Sequence, residues 1–523
     1  MKIIKQFQSV CADCGQPVPA AYVRHEDRVY LEKTCPEHGS SQILASEDAE
    51  VFERWIAFPS ITVPPRIIKQ KDNSSPELSK EAEEYMQTEC PMHCGPCENH
   101  LMTACCVLIN VTSLCNQHCP YCFANAALND SETHFDMNAP GNDLADAVCA
   151  DPPLAEIERW LERLIELGEE RKFNIQISGG EPTVRDDLPD IIKMCKNKGF
   201  EYIQLNTNGR RLADSPDYAV TLKSAGLSTV FMQFDGMDDE IYIALRGEPL
   251  LDIKKAAIQN CAAAGLPVSL VPTVLKSTVG QIGAILDFML ENTFVIKGVH
   301  FQPASFFGRR PDERNEDGDF DERVTMFAVM NEIEKQTGSC IKRDDLAPIS
   351  TGHPLCCFCA SFVKEKTGEI RPVSSGGSCC DSDDTNNRVV SNPLEIIRRD
   401  RDFVLNKWDV HMPENGSGNE TCCGSGANAA MTNKGDALLY DTEEPSPCVP
   451  YSTEEPSPCV HNNSVSMSFD EAIAFFKTNS FTISGMAFMD ETNLDAERLR
   501  RCRVQVFTPD ERLVPFCGYY VSF

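Results

Sequence analysis

Cys115-Asn-Gln-His-Cys119-Pro-Tyr-Cys122 sits just after the apolar run Val107-Leu-Ile-Asn-Val111. Its three thiols, spaced C-x3-C-x2-C, can converge on one small inorganic centre if the loop folds back on itself. Iron–sulfur cubanes are normally held by four cysteinates. Three ligands therefore suggest a cubane with one iron left open to a non-protein ligand, much as catalytic zinc sites keep an open position and structural ones do not. A structural metal knuckle that borrows a fourth cysteine from elsewhere fits the same spacing.

The stretches that follow separate these readings. Asn174-Ile-Gln-Ile-Ser-Gly179-Gly180-Glu181-Pro182 is a strand-like run ending in two glycines, an acid and a proline, and Ile203-Gln-Leu-Asn206-Thr-Asn208-Gly209 is a second strand ending in amides and a glycine. With these in place the sequence resembles the radical S-adenosylmethionine (SAM) superfamily. The resemblance implies a [4Fe–4S] cluster on Cys115, Cys119 and Cys122 whose open iron chelates the amino and carboxylate groups of SAM. It places Gly179, Gly180, Glu181 and Pro182 along the methionyl amine, Tyr121 near the adenine, and Asn206 or Asn208 near the ribose.

A chain of 523 residues suggests two to four domains. Its net charge of −31 repels phosphate backbones, which argues against nucleic acid as a partner. The same charge repels anionic membrane surfaces, although a local basic patch leaves peripheral membrane contact open. No apolar run has membrane-spanning length, and no secretory leader opens the chain. The 26 cysteines occur in C-x2-C and C-x3-C-x2-C clusters, the pattern of metal ligation rather than of disulfides, and point to a reducing cytoplasm.

Taken in order, residues 1–45 open with Cys11-Ala-Asp-Cys14 and, after a β-like segment, Cys35-Pro-Glu-His38. This is a rubredoxin-like or zinc-ribbon-like knuckle for a single iron or zinc. In the alternative, His38 only caps a turn and another cysteine closes the site. Residues 46–104 read as a helical linker carrying Cys90-Pro-Met-His-Cys94-Gly-Pro-Cys97, a second C-x3-C-x2-C triad. Lying before the barrel, this triad reads as an auxiliary [4Fe–4S] site with Cys105 or Cys106 as fourth ligand, or as a zinc knuckle.

From 105 to 338, apolar strands alternate with amphipathic helices, such as Leu154-x2-Ile157-x2-Trp160-Leu161-x2-Leu164-Ile165. Six such units predict an α/β fold, a partial (β/α)6 barrel with its site at the C-terminal strand ends. Cys195 and Cys261 read as small core residues. The loop 125–151 fits either a lid or a solvated insertion.

Residues 339–523 form a cysteine-rich α+β segment with a low-complexity insertion near 421–465, where Thr442-Glu-Glu-Pro-Ser-Pro-Cys448 recurs as Thr453-Glu-Glu-Pro-Ser-Pro-Cys459. Cys502 and Cys517 flank an expected hairpin. With Cys356 they suggest a further cluster, its fourth ligand open among Cys340, Cys357 and Cys359.

The whole layout resembles the radical SAM subgroup of the archaeal tetraether lipid synthase and methanopterin-pathway methylase. That subgroup leads us to expect a cysteine before His353-Pro354, where Thr351-Gly352 stands. The resemblance implies hydrogen abstraction from an unactivated carbon, first of all on a lipid alkyl chain for C–C bond formation. The alternatives are C-methylation of a pterin and, in another class, an iron–sulfur electron carrier. A low-potential ferredoxin or flavodoxin would supply electrons, and one or two auxiliary clusters would assist. The lipid expectation draws on Phe301, Phe306 and Phe307 with Met486, Phe488 and Met489, which would line an apolar channel; otherwise they bury an interface.

Overall fold

The computed structural model describes residues 1–65, 100–128, 151–168, 172–311, 320–373 and 469–521. The triad Cys90, Cys94 and Cys97, most of the 125–151 loop and the 421–465 insertion lie outside them. The chain divides into two compact units; the larger comprises Met1–Met412 and Ile473–Phe523.

In that unit, six strands run parallel in sequential order: Cys106–Asn110, Asn174–Ser178, Ile203–Thr207, Thr229–Gln233, Val268–Val271 and Ile296–Pro303. Intervening helices carry the chain back on one face, as parallel neighbours require. Helix Leu154–Gly168 begins after Pro152-Pro153 and buries Ile157, Trp160, Leu161 and Leu164, an i, i+3, i+4, i+7 stripe. These side chains join Ile175, Ile177, Ile203, Leu205, Val230, Met232, Val299 and Phe301 in one apolar core between strands and helices. Cys195 and Cys261 are fully buried in it.

The sheet is wider than six strands. Ser480–Met486 adds in parallel to the sixth strand, and Val504–Phe507 adds in parallel to the first. Antiparallel strands Cys357–Lys364 and Leu513–Pro515 continue the two edges. The boundary expected at 338/339 therefore does not separate two sheets. Strands from 339–523 complete the barrel sheet because its two outermost strands had unpaired edges to satisfy. Gly298 permits one of these joins, since a Cβ there would lie 2.6 Å from the backbone oxygen of Thr482.

The N-terminal residues form an antiparallel four-stranded sheet, Lys2–Val10, Pro17–His25, Arg28–Cys35 and Gly39–Ser46. It is tied to the C-terminal segment by buried polar contacts. Tyr22 Oη donates to Asp495 at 3.1 Å, and Lys33 Nζ donates to the carbonyls of Val10 and Glu491 at 2.7 and 2.9 Å.

Gly298→Ala should push Ser480–Met486 away from the sixth strand and destabilise the unit by about 1–3 kcal/mol, the usual range for overpacking. Urea unfolding compared with wild type checks this, and an unchanged midpoint would contradict the pairing.

Candidate active site

After the first strand the backbone turns at Thr112, whose hydroxyl accepts from Leu114 N at 3.0 Å. The incoming cysteine loop then docks on the end of the second strand. Gly180 N and Glu181 N each donate, at 2.8 Å, to the carbonyls of Thr112 and Leu114. A Cβ at Gly179 would stand 2.2 Å from Thr112 O, and one at Gly180 would stand 2.1 Å from Leu114 O. The two glycines are thus required by the close approach of the loop.

The Glu181 carboxylate is buried and engaged by the protein. Its Oε1 accepts from Thr183 N, Thr183 Oγ1 and Thr207 Oγ1, and its Oε2 from Asn208 N at 2.6 Å. It joins the second and third strand ends, and Oε2, which accepts a single bond, keeps a spare acceptor position. Pro182 begins a short 3-10 turn beyond it. Asn208 donates to Asn116 of the cysteine loop at 2.7 Å, while Asn206 exchanges bonds with Gln176 and Ser178.

On the far side, Gly308-Arg309 closes the loop. Arg309 and Cys122 exchange two backbone hydrogen bonds of 2.9 Å, and the guanidinium reaches the carbonyls of Cys119 and Ala126. Underneath lies a buried ion pair in which Arg246 clasps both oxygens of Asp235 at 2.8 Å. Arg246 also donates to Tyr121 O at 3.0 Å and Thr273 Oγ1 at 2.8 Å. Burial opposes ionisation of Asp235, yet Arg246 beside it and the N–H of Thr273 hold its carboxyl below the usual range. Lys254 is fully buried nearby, bonded to Asn208 O and Gln233 Oε1, and burial pushes it down to about 8. The Tyr121 ring packs against Leu245, Leu275, Ala304, Phe306 and Phe320.

The three loop thiols lie within electrostatic reach of one another. Burial, followed by the charge of Glu181, pushes the Cys115 thiol up to about 12, and burial also raises Cys119. Thiolates here therefore need a cationic partner within the loop, and a cluster of iron ions would be one. The donor set fits such a centre.

Two further thiol groups form. Sγ of Cys11, Cys14 and Cys35 and a ring nitrogen of His38 all lie within 4.8 Å of one another, a closed four-ligand knuckle. The imidazole of His38 draws the Cys35 thiol down to about 6. Cys356, Cys502 and Cys517 lie within electrostatic reach of one another, and Arg498 Nε donates to Cys356 Sγ at 3.4 Å. Cys105 is half-buried at the start of the first strand, and its N–H donates to Arg503 O at 3.0 Å.

The apolar residues expected to form a channel do not gather along one groove. Phe301 packs outside the barrel, Phe306 stacks on Phe320 at 4.2 Å, and Phe307, Phe488 and Met489 pack around Phe516 and Tyr520. Their large side chains fill the joints between barrel and C-terminal segment, where tight packing rewards them. Met486 is half-buried.

A family described as the Radical SAM superfamily matches residues 109–289, and one described as the HMPTM N-terminal zinc ribbon domain matches residues 3–47. Over 535 aligned positions the chain is 30% identical to the 7,8-dihydro-6-hydroxymethylpterin dimethyltransferase of Methanocaldococcus jannaschii, covering 98% of this chain and 93% of that protein. The chain belongs to the radical SAM superfamily. This radical SAM protein is also 26% identical over 269 residues to a GTP 3′,8-cyclase of Synechococcus elongatus, covering 51% of this chain and 72% of that one. Among solved structures, Streptococcus suis SuiB bound to S-adenosylmethionine is similar, at 16% identity and TM-score 0.33, over 46% of this chain and 47% of that one.

Membership makes the chain a SAM-dependent enzyme with a [4Fe–4S] cluster and a need for an external reductant. Among the described residues no helix is long and apolar enough to cross a membrane. The buried strand-end carboxylate Asp235 finds its partner in Arg246, a residue that, like Lys254 and Arg309, does not stand out in the sequence. Arg246 lies eleven positions further on, inside a helix, where nothing local marks it.

Arg246→Ala should leave Asp235 buried and uncompensated and cost about 3–5 kcal/mol, whereas replacing both partners by apolar residues should cost much less. Chemical unfolding of the two variants checks this. In the knuckle, Cys11→Ser with Cys35→Ser should remove about one metal equivalent per chain, read by elemental analysis against wild type.

Proposed function

We propose that this radical SAM enzyme C-methylates a pterin. The observation that carries the reading is the similarity over nearly the whole chain, N-terminal zinc ribbon included, to a protein named as a hydroxymethylpterin dimethyltransferase. The dispersal of the Phe and Met side chains among packed cores weighs against the lipid reading, which relied on a shared channel. An iron–sulfur electron carrier would have no use for a chain-long relationship to an enzyme.

Cys115, Cys119 and Cys122 would hold the [4Fe–4S] cluster. When bound, that group supplies reductive cleavage of SAM to a 5′-deoxyadenosyl radical. The protein's own part is positioning and exclusion of water. Gly179 and Gly180 let the cysteine loop sit against the second strand, and Arg309 and Arg246 hold its far side by the carbonyls of Cys119 and Tyr121. Glu181, Asn206 and Asn208 order the strand ends on which SAM would lie, with Oε2 of Glu181 available to the methionyl amine and Tyr121 bordering the adenine end.

Auxiliary clusters would assist at Cys90, Cys94 and Cys97 with Cys105, and at Cys356, Cys502 and Cys517. The knuckle Cys11, Cys14, Cys35 and His38 would hold zinc as a structural ion, the occupant its family description names. A low-potential ferredoxin or flavodoxin would supply the electrons.

Changing Cys115, Cys119 and Cys122 together to Ala should remove about four irons per chain and abolish 5′-deoxyadenosine formation; SAM cleavage surviving that change would overturn the site. Because the SAM cleaved to 5′-deoxyadenosine keeps its methyl on methionine, the transferred carbon must come from a second SAM or another one-carbon donor. Anaerobic incubation of wild type with reductant, excess SAM and 7,8-dihydro-6-hydroxymethylpterin, with and without an added one-carbon donor, should give a methylated pterin by mass spectrometry. No pterin product, with altered alkyl chains from added lipid extract, would restore the lipid reading.

A further inference from the structure

Along each barrel strand the residues that pack on the helices alternate with residues on the opposite, inner face. Much of the inner set is polar, with Gln176, Ser178, Gln204, Asn206, Gln233, His300 and Gln302, and Phe231 adds an aromatic ring to it. Most of these side chains are already committed. Asn206 accepts from Gln176 at 2.7 Å and donates to Ser178 at 3.2 Å, and Gln233 accepts from Lys254 at 2.9 Å.

Two positions on the sixth strand differ. Val299 and Phe301 point outward into the apolar core, so His300 and Gln302 share the inner face, roughly 6–7 Å apart along the strand. One ring nitrogen of His300 bonds Ser484 Oγ at 2.8 Å; the other, like the side-chain amide of Gln302, has no hydrogen-bond partner among the described residues. Both side chains keep some accessible surface while their strand neighbours keep almost none. In a barrel filled by its own side chains, inward residues would be fully buried.

An aromatic face stands beside them. The Phe231 ring lies 5.3 Å from the His300 ring although the fifth strand separates their own strands, because Ser269 is small at the level between them. The pair also lies close to the cysteine loop. Gln302 pairs with Thr273, Thr273 Oγ1 accepts from Arg246, and Arg246 donates to Tyr121 O within that loop. Burial pushes His300 down to about 4, so near neutral pH the ring is uncharged and offers a neutral donor or acceptor.

We propose that His300 and Gln302, with the Phe231 ring beside them, form the subsite that binds the edge and face of a planar, hydrogen-bonding nitrogen heterocycle. Two uncommitted polar groups spaced along one strand match the spaced ring nitrogens and exocyclic groups of such a ligand, while an aromatic face suits its flat surface. An alkyl chain would leave both groups desolvated and unpaired, which is unfavourable. The inference deepens the pterin reading by naming the residues that would select the ring.

The test uses the iron-loaded full chain and measures binding of 6-hydroxymethylpterin and of GTP by fluorescence and calorimetry. His300→Phe and Gln302→Leu should each weaken binding of the accepted heterocycle about tenfold or more. His300→Gln, which keeps a donor and an acceptor, should stay within about threefold. Iron content and slow SAM cleavage without substrate should match wild type in all three variants, confirming that they fold and keep the SAM site. Pterin binding that survives both substitutions overturns this subsite while leaving the pterin reading intact. Binding of GTP alone, lost in the same two variants, supports the subsite and overturns the pterin reading. Wild type that binds neither ring overturns the subsite.

Discussion

The seating of the cysteine loop on the strand ends is the constraint on which the rest of the site depends. Three thiols separated by three and two residues can meet only if the loop is bent, and a bent loop exposes carbonyls that need donors. Gly180 N and Glu181 N satisfy two of them, at a separation a Cβ would prohibit. Arg309 and Arg246 satisfy three more, at Cys119, Ala126 and Tyr121. Each arginine contributes only because its own position is held. Arg309 lies in a backbone bridge with Cys122, and Arg246 is locked to Asp235 at the end of the fourth strand. The loop is therefore braced from the second, fourth and sixth strands, and displacing any of these ends would disturb the thiols.

The same arrangement separates the two chemistries of the site. Around the loop the protein supplies hydrogen bonds to a fixed backbone, which suits a bound inorganic centre and the polar ends of SAM. Inside the barrel it supplies amide and imidazole side chains, most of them bonded within the protein, with one ring nitrogen of His300 and the amide of Gln302 left without a partner among the described residues. A polar interior carries a desolvation cost wherever a group lacks a partner, and the mutual bonding of Gln176, Asn206 and Ser178 avoids it. The large apolar residues after the sixth strand serve a different purpose: they seal the barrel against its C-terminal segment and against the aromatic cluster of Phe516 and Tyr520.

That C-terminal segment is a structural part of the barrel. It contributes a parallel strand at each side of the six. Its hairpin, flanked by Cys502 and Cys517, brings those thiols within electrostatic reach of Cys356, which ends the 3-10 turn just before the antiparallel strand on the other edge. Thiols from three distant stretches are thereby held on the same sheet as the cysteine loop. The N-terminal knuckle is different in kind. All four of its ligands come from one small sheet, so local folding alone brings them together.

Much of this was legible in the residues. The six strands of the barrel could be placed from their apolar runs and strand-end glycines, the knuckle from its ligand spacing, and the cysteine loop from its spacing together with the Gly179-Gly180-Glu181-Pro182 strand end, because those signals are local and periodic. The Phe and Met run near the sixth strand was misleading, since apolar content cannot distinguish a channel wall from a packed joint until its neighbours are known. Arg246, Lys254 and Arg309 left no local signal, because a buried charge is recognisable only by the partner it finds across the fold. The amino-acid sequence by itself determined the family, the alternation of strand and helix and the thiols available to metal. Only the tertiary structure decided which carbonyls those arginines hold, that distant C-terminal strands complete the sheet, and that His300 and Gln302 face the barrel interior, since each depends on contacts between residues far apart in the chain.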